Sequence, residues 1–131
     1  MARIKIDLPE HFVFSTEIPI YIQHINYGRH LDNAALLMLV AEARVRFFKS
    51  FGWTELDVGG PGIVVADVAA QYRSEAFHGE TLLIEFAVND YSTYGCDMVW
   101  RVSDKASSRE IARGMANYAS HEARLLCRKP S

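Results

Sequence analysis

Apolar and polar residues alternate along the first part of the chain. Over residues 12–26, phenylalanine and isoleucine side chains fall on one face of a strand and polar side chains fall on the other. Pro19 within this run favours a sheet edge or a bulge, because proline cannot donate to a strand ladder. The same parity places His24 and Asn26 on the inner face, at the end of the predicted strand.

The spacing then changes to that of a helix, in a long apolar stretch over residues 34–51. We expect the helix to start near residue 33, with Asp32 or Asn33 as its N-cap, and to stop at Gly52. Its polar stripe, which includes Glu42, is narrow. A helix with so little polar surface belongs in the interior of a structure.

Four later stretches alternate with a period of two and predict four strands, after a loop over residues 52–62. These strands cover residues 66–76, 82–88, 94–102 and 110–122. Small side chains on the inner face of the last strand, Gly114 among them, leave room for a helix to approach closely. The order of elements predicts an α+β fold, in which an antiparallel five-stranded sheet wraps around one long apolar helix.

The composition narrows the class of protein. The chain has 131 residues, 50% of them apolar, and a formal net charge of −2, which predicts one domain over residues 1–131 with a substantial core. The balanced charge argues against a nucleic-acid partner. No apolar run approaches the roughly 20 residues that cross a bilayer, and no signal-peptide pattern begins the chain. We therefore expect a cytoplasmic protein without membrane insertion.

The spacing of the cysteine and histidine residues argues against a disulfide-stabilised protein and against a metal-binding protein. Cys96 and Cys127 cannot form a disulfide framework, and neither belongs to a paired-cysteine motif. The histidines lack the spacing of a metal-binding helix, so the sequence predicts no metal site. Open sheet edges and one very apolar helix in so short a chain favour a dimer that continues the sheet.

Several short motifs occur in a fixed order along the chain. Residues 24–33 read His-Ile-Asn-Tyr-Gly-Arg-His-Leu-Asp-Asn, and Glu42-Ala43-Arg44, Tyr72-Arg73 and Gly79-Glu80 follow. This set resembles the hot-dog-fold acyl-CoA thioesterases of the 4-hydroxybenzoyl-CoA thioesterase superfamily, whose first motif is Asp-x-Asp-x-x-Gly-His-x-Asn-Asn. The resemblance covers nearly the whole chain and implies a single hot-dog domain that dimerises.

The resemblance also implies a thioesterase site at the dimer interface. The predicted catalytic residues are Asn26, His30, Asp32, Asn33 and Glu42. The predicted substrate-binding residues are His24, Tyr27, Val64, Val65 and Asp67, of which the last three come from the second subunit. The backbone N–H of Asn33, in the first turn of the helix, would polarise the thioester carbonyl. Coenzyme A enters only as part of the substrate, and no separate cofactor is expected.

Most of these residues also have a structural interpretation. Asn26 suits an Asx turn, and His30 suits a packed ring whose N–H meets a carbonyl. Asp32 suits a helix cap as well as a base. Glu42 suits an ion pair with Arg46 on the next helical turn or with a strand arginine.

Three departures from the family motif bear on activity. Asn26 stands where the family has its catalytic aspartate, His24 stands where the motif has its first aspartate, and Arg29 stands where it has glycine. A neutral amide can act neither as nucleophile nor as general base. The predicted function is hydrolysis of an acyl-CoA or acyl-carrier-protein thioester by a homodimer, with a tetramer as a further assembly. A non-catalytic acyl-thioester binding protein and a hot-dog enoyl-CoA hydratase or dehydratase stay open as alternatives.

Overall fold

One antiparallel sheet and one long helix make up the described structure. The computed structural model describes residues 4–52, 64–92 and 95–119. The elements are β1 (Phe14–Pro19), α1 (Asn33–Lys49), β2 (Val64–Tyr72), β3 (Thr81–Ser92), β4 (Gly95–Asp104) and β5 (Glu110–Ala119), with a short 3-10 helix over Ile22–His24. The strands follow the order β1-β3-β4-β5-β2, and all neighbours are antiparallel. The predicted α+β class is confirmed.

Helix α1 packs one side against the inner face of the sheet. Its start after Asp32 is confirmed, and its last helical residue is Lys49. Phe47 is the centre of an aromatic cluster, with its ring centroid 5.1 Å from that of Phe14 and 5.8 Å from that of Phe86. The buried side chains of the helix are Ala35, Leu36, Leu39, Val40, Ala43, Phe47 and Phe48. Burial of this apolar stripe holds the helix on the sheet.

The first strand is shorter than its alternation predicts. It ends at Pro19, on an edge strand as expected. The predicted continuation to residue 26 is wrong, because the chain turns into the 3-10 helix and the inner-face parity stops. Ile22 is 68% exposed as a result. The His24 ring lies against the start of this 3-10 helix, where its Nδ1 accepts a hydrogen bond of 3.0 Å from the Tyr21 N–H.

The second strand ends four residues before its predicted limit, at Tyr72 instead of Ala76. The backbone N–H groups of residues 73 and 74 both donate to the Ile111 carbonyl, at 2.7 and 3.1 Å. Two donors on one acceptor interrupt the regular ladder, so the chain leaves the sheet. The Leu31 N–H then donates to the Ala76 carbonyl at 2.7 Å. The departing segment thus lies against the loop that precedes α1.

Some predicted segments fall outside the described residues. These are residues 53–63, most of the predicted loop, and the part of the last strand after Ala119. The extent of the single domain over residues 1–131 stays a prediction. Within the described ranges, no helix is long and apolar enough to cross a membrane.

Gly114 on β5 makes room for a side chain of the neighbouring strand. A Cβ built at Gly114 would lie 2.0 Å from Cζ2 of Trp100, which is 1% exposed. The close neighbour of this small residue is therefore the Trp100 indole, and not the helix that the sequence analysis expected. The largest core side chain depends on the absence of a methyl group here.

We predict that Gly114→Ala lowers the free energy of unfolding by about 1–3 kcal/mol, because the indole must shift within a close-packed core. Urea unfolding followed by tryptophan fluorescence measures the change. In the double variant with Trp100→Leu, the alanine should cost much less than in the single variant, since its obstacle is gone. A single variant as stable as the parent protein would contradict this packing.

Candidate active site

The loop before α1 is held by the side chain of Asn26. Its Oδ1 accepts a hydrogen bond of 2.9 Å from the Gly28 N–H and lies 3.5 Å from the His30 nitrogen. The Asn26 N–H donates to the His30 carbonyl at 3.0 Å. The residue therefore forms the Asx turn considered from sequence. With its oxygen engaged in the turn, the side-chain NH₂ has no partner among the described residues and is left to donate elsewhere.

Two backbone features shape this loop. Arg29 has a φ of +69°, in the left-handed region that favours glycine. Arg29 thus adopts a conformation that costs a non-glycine residue about 1–2 kcal/mol, at the position where the family motif has glycine. A Cβ at Gly28 would lie 3.2 Å from Nε2 of His30. The missing side chain at Gly28 therefore lets the imidazole lie close to the loop.

The loop fixes the tautomer of His30. Nδ1 lies 3.2 Å from the Leu31 carbonyl, which can only accept, so Nδ1 carries the hydrogen. In the neutral ring, Nε2 is then the basic nitrogen. It lies 3.8 Å from Oε1 of Glu75, and about one third of the His30 side chain (32%) is exposed. An imidazolium formed here would face a carboxylate.

Asp32 organises the first turn of α1. Its Oδ2 accepts hydrogen bonds of 3.0 Å from the N–H groups of both Ala34 and Ala35. Its carbonyl accepts the Leu36 N–H at 3.0 Å. The Asn33 N–H is thereby the one amide of the first four that has no acceptor in the described part of the chain. It lies at the positive end of the helix dipole.

Tyr72 joins the edge strand β2 to this first turn. Its hydroxyl donates a hydrogen bond of 2.8 Å to the Asn33 carbonyl. Partial burial, together with the Asp32 carboxylate, raises the pKa of the Tyr72 hydroxyl. The hydroxyl therefore stays protonated at neutral pH and remains a donor.

These groups enclose a cleft of about 410 Å³ between the loop, the start of α1 and the segment that leaves β2. It contains three of the five predicted catalytic residues, Asn26, His30 and Asn33. The other lining residues are Leu31, Leu36, Tyr72, Arg73, Ser74, Glu75, Ala76 and Ile111. A cleft with an apolar floor and a few convergent polar groups is typical of a ligand site.

Asp32, Glu42 and Tyr27 were also predicted as site residues, but they do not line the cleft of their own chain. Asp32 caps the helix. Glu42 accepts a hydrogen bond of 2.9 Å from Nε of Arg46, as its structural interpretation expected. Arg46 also donates to Oγ1 of Thr16 on β1, so this pair lies towards the sheet edge opposite to β2. Tyr27 is fully exposed.

The residues predicted to come from a second subunit lie on β2. Val65 is 39% exposed and Asp67 is also exposed, with a register shift of the ladder between them. Val64 begins the same edge strand. Since β2 is the last strand of the sheet among the described residues, the contribution of these three residues to a cleft across an interface stays a prediction. The same holds for Glu42.

Several lining residues of the cleft could not be identified from the sequence pattern. Tyr72 belonged to a recognised motif but received no role there. Glu75 alternates with the inner-face positions, so parity placed it on the outside of the sheet. It reaches the cleft because the chain leaves the ladder after Tyr72. Only the double hydrogen bond to the Ile111 carbonyl reveals that departure.

Metal ligands do not cluster in the described part of the chain. Within residues 4–52, 64–92 and 95–119, no three histidine, cysteine or acidic side chains lie close enough together to hold a metal ion. The polar groups of the cleft are two side-chain amides, an imidazole, a backbone N–H, hydroxyls, a guanidinium and one carboxylate. This set supports hydrogen bonding and proton transfer.

We predict that Asp32→Ala lowers the free energy of unfolding by about 0.5–2 kcal/mol, since two first-turn amides lose their acceptor. Asp32→Asn should leave stability nearly unchanged, because asparagine caps about as well as aspartate. Urea unfolding followed by circular dichroism compares the two variants. Equal loss of stability in both would contradict a capping role.

Comparison with known proteins places this geometry in a family. The chain matches the family model of the thioesterase-like superfamily over residues 20–123. Its fold is similar to that of Slr0204, a 1,4-dihydroxy-2-naphthoyl-CoA thioesterase from Synechocystis, with a TM-score of 0.75 and 16% identity over 81% of this chain and 80% of that chain. The DHNA-CoA thioesterase from Staphylococcus aureus has a TM-score of 0.71 and 16% identity, over 80% of this chain and 71% of that chain.

A curated relative matches in sequence over part of its length. The glutamate 5-kinase of Paracidovorax citrulli is 39% identical over 95 residues, which are 72% of this chain and 24% of that protein. The chain thus spans about a quarter of the length of the curated relatives it matches. The activity in their name concerns those proteins as wholes. The family match covers most of this chain, and the chain accordingly belongs to the thioesterase-like superfamily, with the hot-dog fold.

Proposed function

We propose that the cleft hydrolyses the thioester of an acyl-CoA. The observation that carries this proposal is the Asn33 N–H, which Asp32 leaves without an acceptor at the positive end of α1 while it caps the neighbouring amides. Such an amide suits the oxygen of a thioester carbonyl and stabilises the negative charge that develops on it. Family membership and the thioesterases among its structural neighbours support the same chemistry.

The reaction needs a water molecule and a group that takes its proton. The Asn26 NH₂ can donate to the water oxygen, while the water donates to Nε2 of His30. As the water attacks the carbonyl carbon, His30 takes its proton and Glu75 stabilises the imidazolium from 3.8 Å. The C–S bond then breaks, and the imidazolium returns the proton to the departing coenzyme A sulfur. The products are a carboxylic acid and free coenzyme A.

With His30 as the base, Asn26 can stand where the family has its catalytic aspartate without having to accept a proton. The carboxylate that acts as base or nucleophile in the family is absent, and the basic group moves four residues along the chain to His30. Asn26 keeps a positioning role, because its oxygen holds the loop and its nitrogen is free to hold the water. Carrier-protein thioesters carry the same reacting group and are the alternative substrate.

Two competing functions have an observation in their favour. The engagement of Asn26 in an Asx turn favours a protein that binds acyl thioesters without hydrolysing them. The His30–Glu75 pair supplies the imidazole and carboxylate with which a hydratase moves a proton beside a thioester carbonyl. A thiol-trapping dye detects hydrolysis, and absorbance of an enoyl-CoA detects hydration. Binding without either signal indicates the non-catalytic protein.

The proposed active unit is a homodimer joined at β2, with a tetramer as a further assembly. Exposed apolar side chains lie along this side of the molecule, on α1 at Leu37 and on β2 at Val65 and Val68. The opposite edge, β1, includes Pro19, which cannot donate to an added strand. Pairing of two β2 strands would bury this apolar surface and place each β2 beside the other cleft.

We predict that His30→Gln lowers kcat for the best acyl-CoA about 100-fold or more with little change in KM, because it removes the proton acceptor and keeps a polar side chain. His78→Gln, in the exposed turn before β3, is the matched control and should keep its activity. Thiol release measured with a trapping dye checks both variants. Full activity of the His30 variant would contradict the proposed base.

We predict that Val68→Glu converts the dimer to monomers and removes most hydrolysis, since Val68 is 53% exposed on β2, at the proposed interface. Ile4→Glu, at a side chain that is 58% exposed on the N-terminal segment, should leave the dimer intact. Light scattering coupled to gel filtration measures the mass of each variant. A monomeric parent protein with full activity would disprove the interface.

A further inference from the structure

We propose that the ion pair between Glu80 and Arg109 positions the base of the active site. The pair acts through the backbone of residues 75–77, from which Glu75 faces His30. This inference rests on the proposed function and adds two positioning residues that do not line the cleft. It follows from the bonds that the pair makes to the backbone and from the contacts that lead from there to the imidazole.

Arg109 lies between β4 and β5, beside the segment that leaves β2. Its Nη2 donates to both carboxylate oxygens of Glu80, at 3.0 and 3.1 Å. The Glu80 side chain is 25% exposed, whereas that of Glu17, which pairs with Lys105 of the same turn, is 48% exposed. The Glu80–Arg109 pair is thus the better shielded of the two from water and salt, which weaken exposed ion pairs.

The pair holds two alternate residues of the departing segment by their backbone. The same Nη2 of Arg109 donates to the Glu75 carbonyl at 3.1 Å. The Phe77 N–H donates to Oε1 of Glu80 at 2.8 Å. These two bonds lie on either side of Ala76, whose side chain is buried in the core. The position of the Ala76 backbone therefore depends on the pair.

Ala76 passes this constraint to His30. Its carbonyl accepts the Leu31 N–H at 2.7 Å, and the Leu31 carbonyl lies 3.2 Å from Nδ1 of His30. The tautomer that carries its hydrogen on Nδ1 leaves Nε2 as the basic nitrogen. This tautomer thus depends on where the backbone of Ala76 holds Leu31.

The carboxylate of Glu75 depends on the same bonds. Its Oε1 lies 3.8 Å from Nε2 of His30, and most of the Glu75 side chain is exposed. Its place beside the ring is therefore set by its backbone, whose carbonyl Arg109 binds. Reacting groups need such support, because a displacement of about 1 Å can lower a rate about 100-fold.

This role accounts for the acidic residue of the Gly79-Glu80 motif, which takes no part in the proposed reaction itself. Gly79 has a φ of +91°, in the left-handed region that glycine adopts readily. The Glu80 carbonyl accepts the N–H of Ile20, the residue after β1, at 2.9 Å. The turn is thereby tied to the edge of the sheet, and the Glu80 carboxylate meets the Phe77 N–H from a fixed backbone.

Arg109→Gln tests the positioning in the whole chain. It should lower kcat for the best acyl-CoA about 10-fold to 100-fold and change KM less than about threefold, because the reacting groups shift while the binding groups stay. Lys105→Gln, which removes the other ion pair of the same turn, is the matched control and should keep both constants within about twofold. An unchanged kcat in the Arg109 variant would overturn the proposal.

A charge-swapped variant separates positioning from ion pairing. In Glu80→Arg combined with Arg109→Glu, an ion pair can form again, so stability to urea should recover relative to Arg109→Gln. A carboxylate at position 109 cannot donate to the Glu75 carbonyl, and a guanidinium at position 80 cannot accept the Phe77 N–H. The kcat should therefore stay about as low as in Arg109→Gln. Recovery of kcat together with stability would overturn the proposal, because ion pairing alone would then be sufficient.

Two measurements report on these contacts without hydrolysis. The Leu31 amide should exchange its hydrogen with solvent about tenfold faster or more in Arg109→Gln than in the parent protein. Proton–nitrogen correlation spectra at alkaline pH should show the neutral His30 ring with hydrogen on Nδ1 in the parent, and a mixture of both tautomers in Arg109→Gln. Lys105→Gln should match the parent in both. A parent-like exchange rate and tautomer in the Arg109 variant would refute the positioning role.

The outcomes separate this inference from the proposed function. A changed tautomer and faster exchange in Arg109→Gln, with no thiol release from any acyl-CoA by the parent protein, would support the positioning of His30 and refute hydrolysis. Thiol release by the parent, with the same kcat and the same tautomer in Arg109→Gln, would support hydrolysis and refute the positioning role.

Discussion

The site depends on how the carboxylate of Asp32 begins α1. One of its oxygens accepts the N–H groups of both Ala34 and Ala35, and its carbonyl accepts that of Leu36. Its own N–H donates to the His24 carbonyl at 2.9 Å, so the cap is tied to the 3-10 helix as well. These bonds leave the Asn33 N–H without an acceptor in the described structure. The residue that organises the helix thus also defines which amide is left for a ligand.

The loop before α1 places His30 beside the same cleft. Asn26 closes the turn with its oxygen, and Arg29 accepts a left-handed backbone so that His30 lies beside the cleft. The strained arginine and the asparagine both stand where the family motif has another residue. In the proposed mechanism the basic group is therefore the imidazole of His30 and not a carboxylate at position 26. This exchange is the feature that distinguishes the proposed mechanism from that of the family.

Only part of the apolar surface of α1 is buried within its own chain. Helix α1 buries one stripe in the core of its own chain and leaves Leu37 and Met38 exposed. Leu37 also lines a cavity of about 180 Å³ between α1 and the sheet, beside Val68 on the edge strand. The proposed interface and this cavity therefore lie on one side of the helix.

The sequence was sufficient for the elements whose signal is local. The cap at Asp32, the helix after it and the alternation over β3 and β4 each depend on short-range spacing, and the structure confirms them. The end of β2 could not be predicted, because it is set by a distant contact. The chain leaves β2 through a shared bond to the Ile111 carbonyl, and Glu75 reaches the cleft for that reason alone. The requirement for glycine at position 114 likewise comes from Trp100, which lies on another strand.

The central claim is that the Asn33 N–H binds the thioester carbonyl. A crystal structure of the protein with a ketone analogue of octanoyl-CoA, in which a methylene replaces the thioester sulfur, tests it directly. We expect the carbonyl oxygen at about 2.9 Å from the Asn33 nitrogen, with a water molecule between Asn26 and His30. An acyl group bound with its carbonyl away from the first turn of α1 would contradict the claim.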